Sequence, residues 1–90
     1  MRALERTNRF KRDYKREKRS DLLLDETLVP VIEMLAEDGV LPERLKDHAL
    51  GGGWKGFRDC HVKPDLVLVY AKPKGRLTLV RLGSHSELFG

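Results

Sequence analysis

All three histidines of the chain, His48, His61 and His85, fall after residue 47, and Asp47, Lys55, Arg58, Asp59, Lys63, Asp65 and Arg81 lie among them. Histidine titrates near neutral pH and serves as a base or an acid. Two such groups beside cations suit cleavage of a phosphodiester in RNA. That reaction needs a base to deprotonate the ribose 2′-OH, an acid to protonate the departing 5′-oxygen, and positive charge to hold the charge that builds on phosphorus. Arg81, with Lys55 or Arg58, suits the last task. Phe89 suits stacking on an unpaired base. Each residue also has a plainer use. A histidine can simply sit at the surface, Asp47 can be a turn residue before His48, and Phe89 can pack the C-terminus onto a sheet. Trp54 and Phe57 read as core anchors.

Other chemistries fit less well. Cys60 and His61 are both metal-ligand types, but neighbours on a strand point to opposite faces. No CxxC, HxH or HExxH spacing occurs, so neither a metal nor a cofactor is expected. Ser84 and Ser86 flank His85 without the strand–turn–helix elbow of a serine nucleophile. One cysteine cannot form an internal disulfide, which excludes a stapled secreted scaffold. No apolar run resembles a signal peptide or approaches the ~20 residues of a membrane span, so the default location is cytoplasmic.

The elements that must position these residues can be read from pattern. Residues 2–7 suit an edge strand. Asn8 can cap a helix running from Arg9 to Ser20, whose only large apolar residues are Phe10 and Tyr14, one turn apart. Leu28, Val31, Ile32 and Leu35 recur at helical spacing, and Pro30 fits a first turn, which starts the second helix near Thr27. Asp25 or Thr27 would cap it and Gly39 would end it. A strand is predicted from about Trp54 to Val62, with Lys55, Asp59, His61 and Lys63 on one face. Pro64-Asp65 makes a turn. The apolar run Leu66-Val67-Leu68-Val69-Tyr70 reads as a central strand buried on both faces. Pro73-Lys74-Gly75 turns the chain into a partner strand, Leu77 to Leu82. These elements predict an α+β domain with two N-terminal helices on one face of a small antiparallel sheet, in the order β-α-α-β-β-β, with a short C-terminal helix as an option. The uncovered face would bring His61, Arg81 and His85 together.

Ninety residues fit one small domain, 1–90, and a chain 40% hydrophobic and 36% charged is globular with a charged surface. Charge is uneven. Residues 1–20 hold nine Lys/Arg against three Asp/Glu, a net of +6, while the remainder nets −2. Arg9, Lys11, Arg12, Lys15, Arg16, Lys18 and Arg19 crowd the first helix. Such a segment suggests a polyanion such as RNA, DNA or an acidic protein, or else a helix that only aids solubility.

Three ordered blocks carry a closer resemblance. They are Asp47-His48-x-Leu50, then Trp54-Lys55-Gly56-Phe57-Arg58-Asp59-x-His61-Val62-x-Pro64-Asp65, then Arg81-x-Gly83-Ser84-His85-x-x-Leu88-Phe89. Together they resemble the YafQ-type toxins of the RelE-like superfamily. The resemblance implies the toxin half of a type II toxin–antitoxin pair. Such a protein enters the ribosomal A site and cuts mRNA there without metal, leaving a 2′,3′-cyclic phosphate. It is held inactive by an antitoxin encoded next door, in a complex expected to be a heterotetramer. On the family pattern the catalytic set falls on His48, His61, Asp65 and His85. His85 is the expected acid, with His61 or His48, supported by Asp65, as the base. Asp59 and Phe89 take supporting positions, Arg81 matches a basic position near the scissile phosphate, and the basic helix would hold ribosomal RNA. Nothing functional carries over to Cys60. Two rival readings stay open: a non-catalytic RNA- or ribosome-binding module, and a ribonuclease that needs no ribosome.

Overall fold

The computed structural model describes residues 1–90. Strand β1 (Ala3–Arg6) leads into helices α1 (Asn8–Ser20) and α2 (Leu24–Ala36). A 3₁₀ turn (Glu43–Leu45), a two-residue strand β2 (His48–Ala49) and a second 3₁₀ turn (Gly52–Trp54) follow. Strands β3 (Arg58–Lys63), β4 (Leu66–Ala71) and β5 (Arg76–Gly83) then form a meander, and helix α3 (His85–Phe89) closes the chain. The strand order is β1-β5-β4-β3-β2. The fold is α+β with both long helices on one face, as the pattern predicts. The sheet is mixed rather than wholly antiparallel, because β1 runs parallel to β5.

The helix-covered face holds the main core. Cys60, Leu66, Leu68, Tyr70, Leu77 and Leu79 pack against Phe10, Leu24, Leu28, Val31 and Leu35. Leu24, Leu68, Tyr70 and Leu77 are wholly buried, and full burial of a side chain of this kind stabilises by roughly 1.5–3 kcal/mol. β4 is buried on both faces over Leu66 to Tyr70. A smaller cluster covers the opposite face, where Val67 and Val69 meet Leu50, Trp54, Phe57, Leu88 and Phe89.

Several boundaries depart from expectation. Thr7, not Asn8, caps α1: its hydroxyl accepts the Phe10 N–H at 3.0 Å. α2 begins at Leu24, so Pro30 lies inside it. The exposed side of the helix tolerates the lost hydrogen bond there. Asp25 caps nothing and instead takes the Tyr14 hydroxyl at 2.5 Å. Asp38, in the left-handed region at φ 59°, turns the chain out of α2, and the Gly39 N–H closes onto the Met34 carbonyl at 2.8 Å. Residues 54–57 are a turn rather than strand, so Lys55 is not on β3.

Two bulges re-aim side chains. In β3, His61 pairs with Val67 but Lys63 pairs with Leu66, leaving Val62 as the extra residue. Lys63 is therefore turned to the helix side, where its ammonium pairs with Asp21. In β5 the register shifts between Leu79 and Arg81, with Val80 as the extra residue.

β1 covers β5 only as far as Leu79. Beyond that point α1 closes the open edge with side chains. The Thr7 hydroxyl donates to the Val80 carbonyl at 2.8 Å, and the Leu82 N–H donates to the Asp13 carboxylate at 3.0 Å. Arg16 donates to the Leu82 carbonyl at 3.0 Å. An edge that would otherwise invite another strand is thereby satisfied within the chain.

Candidate active site

Sheet register assembles the site. His48 lies opposite Asp59, Asp59 opposite Val69, and Val69 opposite Arg81, so one row crosses four strands. The next row is His61, Val67 and Gly83. Directly opposed residues share a face, which places His48, Asp59 and His61 on the side away from α1 and α2. His85 follows Gly83 by two residues as the first residue of α3. A capping box fixes that helix: the Glu87 N–H donates to the Ser84 hydroxyl at 3.1 Å and the Ser84 N–H donates to the Glu87 carboxylate at 2.8 Å.

Asp59 is the centre. It is 1% exposed, and its Oδ1 accepts no hydrogen bond. Burial raises its pKa above the ordinary carboxylate value, while His48, His61 and His85 all work to hold it down and Asp47 adds to the rise. All three imidazoles thus lie within electrostatic reach of one buried carboxylate. His48 comes nearest, with Nδ1 3.2 Å from Oδ1. The same nitrogen is 2.7 Å from the Lys46 carbonyl. A carbonyl can only accept, so that hydrogen bond requires the proton on Nδ1 and leaves the Nε2 lone pair free. The contact with Asp59 is then charge proximity rather than a second hydrogen bond.

A clamp holds the short strand that carries His48. The buried Tyr70 hydroxyl donates to Asp47, and Arg58 donates at 3.3 Å to both Asp47 and Tyr70. Arg58, a candidate RNA contact from sequence, is thus committed to this clamp. Its pKa is raised, chiefly by the Tyr70 hydroxyl with Asp47 assisting, against the effect of burial. Burial pushes the Cys60 thiol up to about 12, so it stays protonated and unreactive near neutral pH.

Other candidate residues are placed differently from expectation. Arg81 shares a row with Asp59, but its guanidinium turns to α1 and grips Asp13 at 2.7 and 3.3 Å. It does not form the expected trio with His61 and His85. Arg81 instead lines a polar cleft of about 320 Å³ with Arg9, Arg12, Asp13 and Arg16. Asp65 stands exposed in the turn after β3 and pairs with no histidine. Lys55 is exposed in its turn. Phe89 stacks edge-on against Trp54 at 5.6 Å and lies 4.9 Å from the His85 ring, while Trp54 meets Phe57 at 5.7 Å. Trp54 and Phe57 are anchors, as expected, and Phe89 links them to His85. On the basic helix, Arg9, Lys11, Arg12, Lys15 and Arg19 are exposed. Arg16 is tied to Asp13, Glu17 and Glu87, and Lys18 to Asp25. No three His, Cys, Asp or Glu side chains converge closely enough to hold a metal ion.

Asp13 was not singled out from sequence. Its signal was present: it lies three residues after Phe10 and beside Tyr14, an acid on the only apolar stripe of a basic helix. The Asp47–Tyr70–Arg58 clamp had no local signal, since it joins three separate segments. The largest cavity, about 570 Å³, opens between α1, α2 and β5 and is lined by Phe10, Tyr14, Leu28 and Ile32. It contains no histidine and is separate from this site.

Fold and sheet register together define a small α+β domain whose face away from the two long helices carries His48, Asp59 and His61, with His85 just past the end of β5. The chain belongs to the YafQ family of bacterial toxins of type II toxin–antitoxin systems, whose model matches residues 2–90. It is 50% identical over 50 residues to the mRNA interferase toxin YafQ of Escherichia coli strain K12, a stretch covering 56% of this chain. That stretch spans about half of the curated relative, 54% of its length. Among solved structures, it is similar to a metal-bound toxin from Helicobacter pylori, with 46% identity, a TM-score of 0.91, and coverage of 99% of this chain and 100% of that one. It is also similar to a chain of the E. coli DinJ-YafQ complex, with 34% identity, a TM-score of 0.87 and full coverage of both. No helix is long and apolar enough to cross a membrane.

Proposed function

We propose that residues 1–90 act as one toxin domain, an endoribonuclease that cuts mRNA in the ribosomal A site and so stops translation. The observation that carries this reading is the buried Asp59 carboxylate, whose Oδ1 accepts no hydrogen bond, with His48 Nδ1 3.2 Å away and the Nε2 of that ring left free. In the proposed reaction His48 Nε2 takes the proton of the ribose 2′-OH. That oxygen attacks phosphorus, the bond to the 5′-oxygen breaks, and His85 gives the leaving oxygen its proton. The products are a 2′,3′-cyclic phosphate and a 5′-hydroxyl. Asp59 stabilises the imidazolium that forms on His48. His61, partly buried on the adjoining row, faces the charge that builds on phosphorus, while Arg81 stays on Asp13 and Asp65 stands at the turn. Phe89 sets the His85 ring and offers its free edge to a base. Two imidazoles supply both proton transfers, so the step as drawn needs no metal.

The exposed cations of α1 would hold ribosomal RNA through phosphates, which supply affinity rather than sequence choice. The E. coli relative in complex with DinJ supports an antitoxin partner. That partner is proposed to be encoded next door and to bind in a heterotetramer. Ribosome and mRNA place the activity in the cytoplasm. Primer extension on the same mRNA, translated and naked, tests the reading. Cleavage of the translated message alone is expected. Equal cutting of both would make the protein a free ribonuclease, and toxicity without any cut would make it a non-catalytic ribosome binder.

A further inference from the structure

Beside the histidine cluster lies a second concavity, about 470 Å³, whose lining includes Arg44, Lys46, Lys63 and His61. None of its lining residues is acidic. Lys63 is balanced by Asp21, but Arg44 and Lys46 are exposed and take part in none of the ion pairs of the fold. Glu43 and Asp47 are their acidic neighbours in sequence, and Asp47 is already occupied by Tyr70 and Arg58. The concavity therefore carries two cations outside any ion pair, Arg44 and Lys46, beside the balanced Lys63, with His61 on one wall.

The backbone adds an independent observation. Lys46 sits at φ 50° and ψ 44°, in the left-handed region that favours glycine. Its carbonyl is the group that fixes the His48 tautomer. Glycine would supply that carbonyl with less strain. A lysine at this position keeps a cation over the cavity at a cost in backbone energy, and strain of this kind gathers at functional sites.

We infer that this cavity is a phosphate subsite for the substrate RNA, holding the phosphodiester next to the one that is cut, with Lys46 and Arg44 as its binding residues. The inference rests on the proposed ribonuclease activity. Its role would be to set the register of the strand, so that the scissile linkage falls between His48 and His85.

Lys46→Gly tests it, because the substitution removes the ammonium while relieving the backbone. The melting temperature should stay level or rise. Cutting of translated mRNA should fall about tenfold, as for loss of one charge-assisted hydrogen bond, and Lys46→Arg should restore most of it. A second arm replaces the linkage immediately 5′ or 3′ of the cut with a neutral methylphosphonate. Wild type should lose about tenfold with one of the two neutral linkages, and Lys46→Gly combined with Arg44→Ala should lose nothing further with that linkage. Wild-type rates in Lys46→Gly, indifference of wild type to both neutral linkages, or an undiminished linkage effect in the double variant would each overturn the subsite while leaving the nuclease reading intact. Failure of wild type to cut translated mRNA at all would overturn both.

Discussion

The molecule buries two carboxylates, Asp13 and Asp59, and treats them in opposite ways. Asp13, at the α1–β5 junction, receives Arg81 twice, the Leu82 N–H and Arg16. Burial alone would raise its pKa, but these donors outweigh burial and hold it below the ordinary value. Asp59, at the β2–β3 junction, has an oxygen without a donor, and burial leaves its pKa raised. The first carboxylate is a fully satisfied rivet that seals a sheet edge. The second is held short of partners beside three groups able to carry protons. Satisfaction marks the part that stabilises, and its absence marks the part that works.

Substitutions can break that contrast. Asp13→Ala should have the largest effect on stability, on the order of 3 kcal/mol, because it strands the half-buried Arg81 and the Leu82 N–H. Urea unfolding measures this, and a loss under about 0.5 kcal/mol, the scatter of ordinary surface changes, would show that the rivet is idle. The pH dependence has a definite sign. A depressed carboxylate contributes stability above its unfolded pKa of about 3.9 and loses it as pH falls through the lower folded value. The contribution of Asp13 should therefore begin to fade as pH falls below about 4 and be gone only below its depressed folded pKa, with Asp13→Ala flattening that limb of the curve.

Tyr70→Phe should come next, at about 1–2 kcal/mol, since it removes the two hydrogen bonds of the hydroxyl, to Asp47 and from Arg58, and leaves the ring in place. It should also slow cutting by loosening the strand that carries His48. A variant that loses stability but cuts at the wild-type rate would leave the clamp purely structural.

Asp59→Asn should have the smallest effect on stability, within about 1 kcal/mol and in the stabilising direction at neutral pH, because it removes an under-satisfied buried charge. In wild type the sign is opposite to that of Asp13. Asp59 costs stability while ionised, and the cost is relieved as pH falls through its raised folded pKa. Cutting should nonetheless drop about tenfold or more, as the imidazolium loses its counter-charge. A destabilised but fully active Asp59→Asn protein would reverse the roles of the two carboxylates.

Much of the fold was legible in local pattern. Leu66 to Tyr70 had to be a doubly buried strand, because five apolar residues in a short turn-bounded run leave no polar face. The periodicity of Leu28, Val31 and Leu35 marked the buried side of α2, although its start at Leu24 was obscured by Pro30. The site was legible in residue type but not in geometry. A bulge depends on the partner strand, so nothing local in Val62 or Val80 showed that Lys63 would turn to the helices or that Arg81 would turn to α1. Lys55 shares the parity of Asp59 and His61 and so reads as a strand residue, whereas Gly56, at φ 96°, makes a turn there. The two-residue β2 was too short to carry any periodic signal, yet it brings His48 to Asp59.

The most direct test is the single-turnover rate at which His85→Ala cuts translated mRNA, with folding checked by its melting temperature. His85 is exposed, so the truncation should leave the fold unchanged. The rate should fall by about 10²- to 10⁴-fold, the range expected when a general acid is removed. A folded His85→Ala protein that cuts at the wild-type rate would contradict the assignment of the chemistry to the histidine face.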